Sequence, residues 1–441
     1  MQLTDHQSEQ LAIATRGKIG LLTGNPGSGK TTTLASYIRS LLAAGNELGS
    51  IAVAAPTGKA ARRITESLQT QGINLTATTI HKLLGYAYAE GHGFFTFCRS
   101  MPLPFRFVFI DEASMADVSL TSYLLAARNR NSQFILIGDP NQLPPVGRGA
   151  PLRDLIDMRI PRGHLSEIHR NAGMIVRCCK SIVEDQRFQS SKAFDFEVGE
   201  NLFVDADWKT TAEQIETIKA WLDPTSALFD GSANAVDSIW ECQVIVPLNE
   251  KSEVARKPLN KLMQGWLNPD GEQAKGNPFR VGDKIVCSKN GWYLAAPGCP
   301  REEQNEEGRV YCANGEQARV TEVAEKSTIA ELTLPDRIVR VGKAKGDKDG
   351  EESGKWELAY CISAHKSQGA EWPYVIVVGD ESGGARWLCD RHWLLTAISR
   401  GQRACVCVAK PATLQDWCRK THLKQRRTFA VEKYHQLLVT K

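Results

Sequence analysis

Gly24-Asn25-Pro26-Gly27-Ser28-Gly29-Lys30-Thr31 sets glycines, a lysine and a hydroxyl at the spacing of a phosphate cradle. Glycines let successive backbone N–H groups converge on an anion, and a helix N-terminus behind them adds partial positive charge. Lys30 supplies an ammonium for the β- and γ-phosphates of a nucleotide. The Thr31 hydroxyl is a ligand for Mg²⁺, and Thr32 extends the polar helix start. Further on, Asp111 and Glu112 stand side by side behind an apolar run. In a phosphate-loop enzyme the first carboxylate holds the Mg²⁺ coordination sphere, here through water, and the second orients and deprotonates the attacking water. Gln142 falls where a neutral side chain can sense the γ-phosphate.

That chemistry needs strands and helices to hold it. Ile19-Gly20-Leu21-Leu22 reads as a short buried strand, and Leu34, Ile38, Leu41 and Leu42 recur at helical spacing behind the glycines. Ile51–Ala55, Phe107–Ile110 and Phe134–Ile137 read as three more buried strands. In an open parallel sheet, the loops at the carboxyl ends of strands form the ligand crevice. Pro56-Thr57, opening a basic helix with Arg62 and Arg63, could therefore hold a phosphodiester, or be an ordinary strand-to-helix turn. Thr79 and His81, at another helix start, pose the same choice. Upstream, Thr4 suits an N-cap, and Gln7 can offer both a donor and an acceptor to an adenine edge. Between residues 85 and 106, Tyr86, Tyr88, Phe95 and Phe97 alternate around Glu90-Gly91-His92-Gly93, the pattern of a hairpin serving as a wedge or a lid.

A length of 441 residues suggests two to four domains. The 54 basic and 50 acidic residues leave a net +4, too small an excess to advertise nucleic-acid binding, so any polyanion must be held in a local channel. None of the twelve cysteines forms a C-x-x-C pair, which favours reduced, buried thiols over zinc or a disulfide framework. No apolar run approaches the ~18 residues of a membrane span, and no signal-peptide pattern opens the chain. The expectation is a cytoplasmic protein with no membrane partner. Cys242–Val246, Tyr374–Val378 and Ala404–Val408 supply further core strands. Residues 276–356 turn strand-rich, and Gly342 to Lys355 reads as a charged, mobile loop. The basic tail, with Arg419, Lys420, Lys424, Arg426 and Arg427, reads first as a solvated helical face, with DNA contact as the alternative.

Taken together, Gly24–Thr31, Asp111-Glu112-Ala113-Ser114 and Gly138-Asp139-Pro140-Asn141-Gln142-Leu143-Pro144 resemble motifs I, II and III of superfamily 1 helicases. GDPNQLPPVGRG resembles the 1B branch, the RecD-like and phage Dda-type enzymes. Ser363-Ala364-His365-Lys366-Ser367-Gln368-Gly369-Ala370-Glu371 resembles motif V, and Leu395–Gly401 motif VI. The resemblance spans nearly the whole chain in the right order.

It implies an α/β fold of two RecA-like domains with ATP between them and single-stranded DNA across their top. Residues 1–168 would form the first domain, with a strand-separating pin at 85–106. Residues 169–275 and 357–410 would form the second, with an SH3-like β-barrel inserted at 276–356 and a tail at 411–441. Gln7 resembles the adenine-reading glutamine, Pro56-Thr57 motif Ia, and Thr79 with His81 motif Ib. Arg170, at motif IV, and Arg400, in motif VI, would reach the γ-phosphate from the second domain; His169 stands where the family often has an aromatic residue. Motif V implies Gly369 and Glu371 at the nucleotide, and Ser363, His365 and Lys366 at the DNA. Phe94, Phe95 and Phe97 are the wedge candidates. The expected activity is ATP-dependent 5′→3′ DNA unwinding, its polarity resting on the resemblance alone. Alternatives are an RNA helicase, a translocase that does not unwind, and a RecD-like subunit of a nuclease or recombination complex. Expected partners are single-stranded and forked DNA and a single-stranded-DNA-binding protein, with the chain a monomer.

Overall fold

A computed structural model describes residues 3–89, 92–167, 173–229, 237–289, 291–312, 314–325, 327–332, 337–341, 356–423 and 426. His169, Arg170, the hairpin tip Glu90-Gly91, the loop 342–355, and Lys424 and Arg427 of the tail lie outside the described residues.

The first half runs α1 (Asp5–Ala14), β1 (Ile19–Gly24), α2 (Lys30–Ala43), β2 (Ile51–Ala55), α3 (Gly58–Thr70), β3 (Thr78–Thr79) and α4 (Ile80–Leu83). A hairpin, β4 (Tyr86–Ala89) and β5 (His92–Phe95), leads to β6 (Phe107–Ile110), α5 (Val118–Ala126), β7 (Gln133–Gly138), α6 (Pro151–Asp157) and β8 (Arg162–Leu165). Six of these strands form a parallel sheet in the order β3-β2-β6-β7-β1-β8. Neighbouring β6, β7 and β1 carry the three chemistry-bearing loops on their carboxyl ends, with Thr23 in register with Gly138. Both sheet faces are covered, so the strands read as apolar runs. Leu22, Val53, Phe109 and Ile135 pack on one face, and Leu21, Ala52, Val108 and Phe134 on the other. α3 buries Ala60, Ala61, Ile64 and Leu68 against this sheet, a spacing that leaves Arg62 and Arg63 on its outer side.

The second half begins with α7 (Met174–Glu184), β9 (Leu202–Asp205), α8 (Thr211–Trp221), β10 (Cys242–Val246) and α9 (Arg256–Leu267). An antiparallel unit follows: β11 (Lys284–Cys287), β12 (Gly291–Leu294), β13 (Arg309–Cys312), β14 (Gln317–Val323), β15 (Thr328–Leu332), β16 (Ile338–Val341) and β17 (Trp356–Leu358). The chain then resumes with β18 (Cys361–Ser363), α10 (Ala364–Ser367), β19 (Trp372–Val378), α11 (Gly383–Leu388), α12 (Arg391–Ile398), β20 (Gly401–Val408) and α13 (Pro411–Arg419). A second parallel sheet orders β18-β10-β19-β20-β9. Along β19 and β20, Val375, Val377, Cys405 and Cys407 face one core and Tyr374, Ile376, Val406 and Val408 the other.

In the insert, β16-β15-β14-β11-β17 form an antiparallel sheet and β12 pairs with β13. Its base is held by the buried carboxylate of Asp283. That group accepts from Gln264 Nε2 at 2.6 Å, Asn268 Nδ2 at 2.7 Å, Tyr360 Oη at 2.7 Å and the Arg280 N–H at 2.8 Å. All twelve cysteines are free thiols, ten of them buried. Among the described residues, no helix is long and apolar enough to cross a membrane.

Candidate functional site

The loop between β1 and α2 turns through Gly27 and Gly29 at φ 77° and 82°, a conformation side chains resist. Lys30 opens α2 and curls back to donate to the carbonyls of Gly24 and Asn25, at 2.8 and 3.0 Å. A cavity of about 620 Å³ lies against this loop. Gln7, Pro26, Gly27, Gly29, Lys30, Thr31, Thr32, Asp111, Glu112 and Gln142 line it from the first sheet, and Gly369, Glu371 and Arg400 from the second. Gly24, Asn25 and Ser28 stay behind as the body of the loop. Gln7 also serves its helix: its side-chain oxygen accepts from the Thr4 N–H in a reciprocal cap.

Asp111 is buried just past the end of β6, and Glu112 follows at φ 51°, both lining the cavity. Burial, and then the Glu112 charge, raise the Asp111 carboxyl above its ordinary range. Asp139, one strand over and fully buried, is raised by burial too, opposed by Lys30. It receives the Asn141 N–H at 2.8 Å through one oxygen. Arg400 is also buried, and donates to Thr396 O, Ala370 O and Ser399 Oγ at 2.9, 3.1 and 3.0 Å, all within its own half of the chain.

The two sheets meet across this cavity through contacts no local spacing announces. The Leu143 N–H donates to Thr396 Oγ1 at 2.9 Å, and Leu143 O accepts from Gln368 Nε2 at 3.0 Å. Arg63 reaches Glu371 at 2.6 Å, and Gln402 holds the other Glu371 oxygen at 3.0 Å. Lys59 Nζ sits 4.5 Å from the centre of the Trp372 ring. Gly369, at φ 71°, packs so closely on α3 that a Cβ there would lie 3.1 Å from Ala60 Cβ.

A larger cavity, about 970 Å³, runs between the two sheets and the insert. Pro56, Thr57, His81 and Phe95 line it from one side, Ser363, His365 and Lys366 from the other, and Asn314 and Gly315 from the insert. Burial lowers the pKa of His81, His365 and Lys366. Lys366 is paired with Glu357 of β17 at 2.7 Å. Thr79 does not line this cavity: its hydroxyl caps α4, accepting from the Lys82 N–H at 3.1 Å. Nor do Phe94 and Phe97. The three phenylalanines do not share a face, because Phe95 and Phe97 pack on the core while Phe94 is 49% exposed.

Two lining residues, Tyr123 and Asp117, carried no sequence signal, and a third, Arg426, was read first as part of a solvated basic tail. The Tyr123 ring packs at a tilt on Phe95, with centroids 4.8 Å apart, and Phe95 on His81 at 5.8 Å, giving an aromatic wall. Asp117 caps α5 beside it. Arg426, the last described residue, crosses to donate to the carbonyls of Pro145 and Gly147 on the loop after Gln142.

The AAA domain family matches residues 7–148, and the UvrD-like helicase C-terminal domain matches residues 358–408. The chain is 28% identical over 417 residues to the ATP-dependent RecD2 DNA helicase of Deinococcus radiodurans, covering 91% of this chain and 48% of that protein. To the RecBCD enzyme subunit RecD of Mycobacterium tuberculosis it is 27% identical over 442 residues, covering 93% and 70%. The chain thus spans about half the length of the first relative. Among solved structures, Bacteroides Pif1 bound to single-stranded DNA shares the fold at a TM-score of 0.53 and 17% identity, over 100% of this chain and 98% of that one. Motif order, architecture and relatives agree: the chain is similar to the RecD-like superfamily 1B helicases.

Proposed function

We propose that the chain couples ATP hydrolysis to 5′→3′ movement along single-stranded DNA and to separation of a duplex ahead of it. One observation carries this reading. The same two sheets line both a nucleotide-sized cavity and the larger one, and α3 borders both, through Arg63 on one side and Lys59 on the other. A change of angle between the sheets on ATP turnover must therefore change the larger cavity.

Lys30 leaves the carbonyls of Gly24 and Asn25 for the β- and γ-phosphates, and the Gln7 carboxamide reads the adenine edge. Thr31 and Asp111 fit Mg²⁺, since a carboxyl raised by burial, and then by its Glu112 neighbour, is one that a divalent cation relieves. Mg²⁺ bound there would neutralise phosphate charge. Glu112 orients and deprotonates the attacking water, and Gln142 senses the γ-phosphate. Arg400, with Arg170 from outside the described residues, stabilises charge on the γ-oxygens; arginines of this kind give about 10³–10⁵-fold in other NTPases. Pro56, Thr57, His81, Ser363, His365 and Lys366 hold the strand, with Phe95 and Tyr123 as a stacking wall.

The working units are residues 1–168, with the pin at 85–106, and residues 169–275 with 357–410, carrying an SH3-like barrel at 276–356 and a tail from 411. We place the enzyme in the cytoplasm as a monomer acting beside a single-stranded-DNA-binding protein. Forked duplexes with only a 5′ or only a 3′ tail test the proposal: unwinding should need the 5′ tail, and a 3′ requirement overturns the polarity. A second reading, a RecD-like subunit of a larger complex, is favoured by the likeness to the M. tuberculosis protein. Its mark would be DNA-stimulated ATPase with little unwinding by the isolated chain.

A further inference from the structure

Arg63 is a cation in the nucleotide cavity to which the mechanism above gives no task. It projects from the outer side of α3 and lines that cavity with Lys30, Asp111, Glu112 and Arg400. After Glu371, the carboxylates whose charge it feels most are Glu112 and Asp111, the pair assigned above to Mg²⁺ and the attacking water, which line the same cavity. Arg400 has committed its donors to neutral acceptors in its own half of the chain. Arg63 is instead paired across the cleft with Glu371 at 2.6 Å, and the two side chains are 46% and 26% exposed. A solvated pair of this kind contributes little stability. A phosphate with several negative oxygens offers the guanidinium fork a better partner.

We propose that Arg63 is a nucleotide-contacting residue that leaves Glu371 for the terminal phosphate of a nucleoside triphosphate and returns to Glu371 when a diphosphate remains. Glu371 then acts as the resting acceptor, held in place by Gln402. The Arg63–Glu371 bridge joins the two sheets, so the γ-phosphate state is converted directly into the presence or absence of a cross-cleft tie. The inference rests on the nucleotide reading of this cavity. The rival is a plain strut, in which both residues only hold the sheets together.

The two readings differ in sign. Fluorescent non-hydrolysable ATP and ADP analogues are titrated with Mg²⁺ against the full chain and its Arg63→Ala, Arg63→Lys and Glu371→Gln variants. Arg63→Ala should weaken triphosphate binding about tenfold or more, and diphosphate binding less than about twofold. Arg63→Lys, which keeps the charge and loses the fork, should fall between. Glu371→Gln frees the guanidinium and should raise the preference for triphosphate over diphosphate. Equal losses for both nucleotides in Arg63→Ala, or the same loss in Glu371→Gln as in Arg63→Ala, would establish the strut and overturn the proposal. Circular dichroism identifies a misfolded Arg63→Ala, in which case Arg63→Lys against Glu371→Gln decides by the same sign. Failure of the unaltered chain to bind either analogue would remove the nucleotide reading itself, a result distinct from the strut.

Discussion

Asp111 is a buried carboxyl that the folded protein holds above its ordinary pKa. The sign of its effect on stability follows. Between the ordinary value and the raised one, the folded chain keeps a proton that the unfolded chain has lost, so stability falls as pH rises through that window. Asp111→Asn should therefore raise the urea midpoint at pH 7, with a gain that shrinks toward acid pH, while abolishing ATP hydrolysis. A destabilised Asp111→Asn protein at pH 7 would show that the carboxylate is better satisfied than its burial implies. Lys284 has the opposite linkage. Buried at the start of β11, it donates to Ile239 O at 2.8 Å and is pushed down to about 7 by burial, opposed by Cys242 and Asp237. Above pH 7 the unfolded chain binds more protons at this site, so stability should climb toward the ordinary value of 10.5, by at most about 1.4 kcal/mol per pH unit. Denaturation of Lys284→Met at pH 7 and pH 9 should show that rise removed.

The hairpin β4–β5 shows how far a pattern can be read and where it stops. Alternating aromatics announced its strands correctly, because strand side chains point to opposite faces whatever surrounds them. Which face meets the core is set by Tyr123 and His81, which stand elsewhere in the chain. Phe94→Ala should leave DNA-stimulated ATPase within about twofold and lower unwinding of a tailed duplex sharply, as expected of a lost stacking contact worth about 1–3 kcal/mol. Phe95→Ala should instead lower the thermal midpoint, because it empties part of a packed cluster. Equal unwinding by Phe94→Ala and the parent would place strand separation elsewhere. The buried strands and the phosphate loop were legible for the same local reason: each is a short run whose residue types fix its geometry. Thr79 was ambiguous because a hydroxyl at a helix start suits a cap as well as a phosphate.

At the scale of the whole molecule, the decisive contacts join residues far apart. Arg63 and Glu371 are 308 positions apart, and Leu143 and Thr396 are 253. No spacing rule reaches across such distances, so the meeting of the motifs was legible through the family resemblance and not through the residues' own pattern. Thr396→Val keeps the shape and removes the acceptor of a buried N–H, a change that costs about 1–3 kcal/mol. Because Thr396 does not line the nucleotide cavity, ATP affinity should stay within several-fold while stimulation of ATPase by single-stranded DNA drops. Unchanged stimulation would mean that the Leu143 link carries no signal. The insert shows a different property of the fold. Its first strand, β11, pairs directly with its last, β17, through Ile285 and Leu358. The chain thus enters and leaves the insert through one doorway, with Asp283 as its jamb. The entropy cost of closing a loop rises slowly with its length, by about 0.6 kcal/mol per doubling. The doorway is therefore a splice point, where a tip could be lengthened or replaced while the parallel sheet beneath it keeps its course.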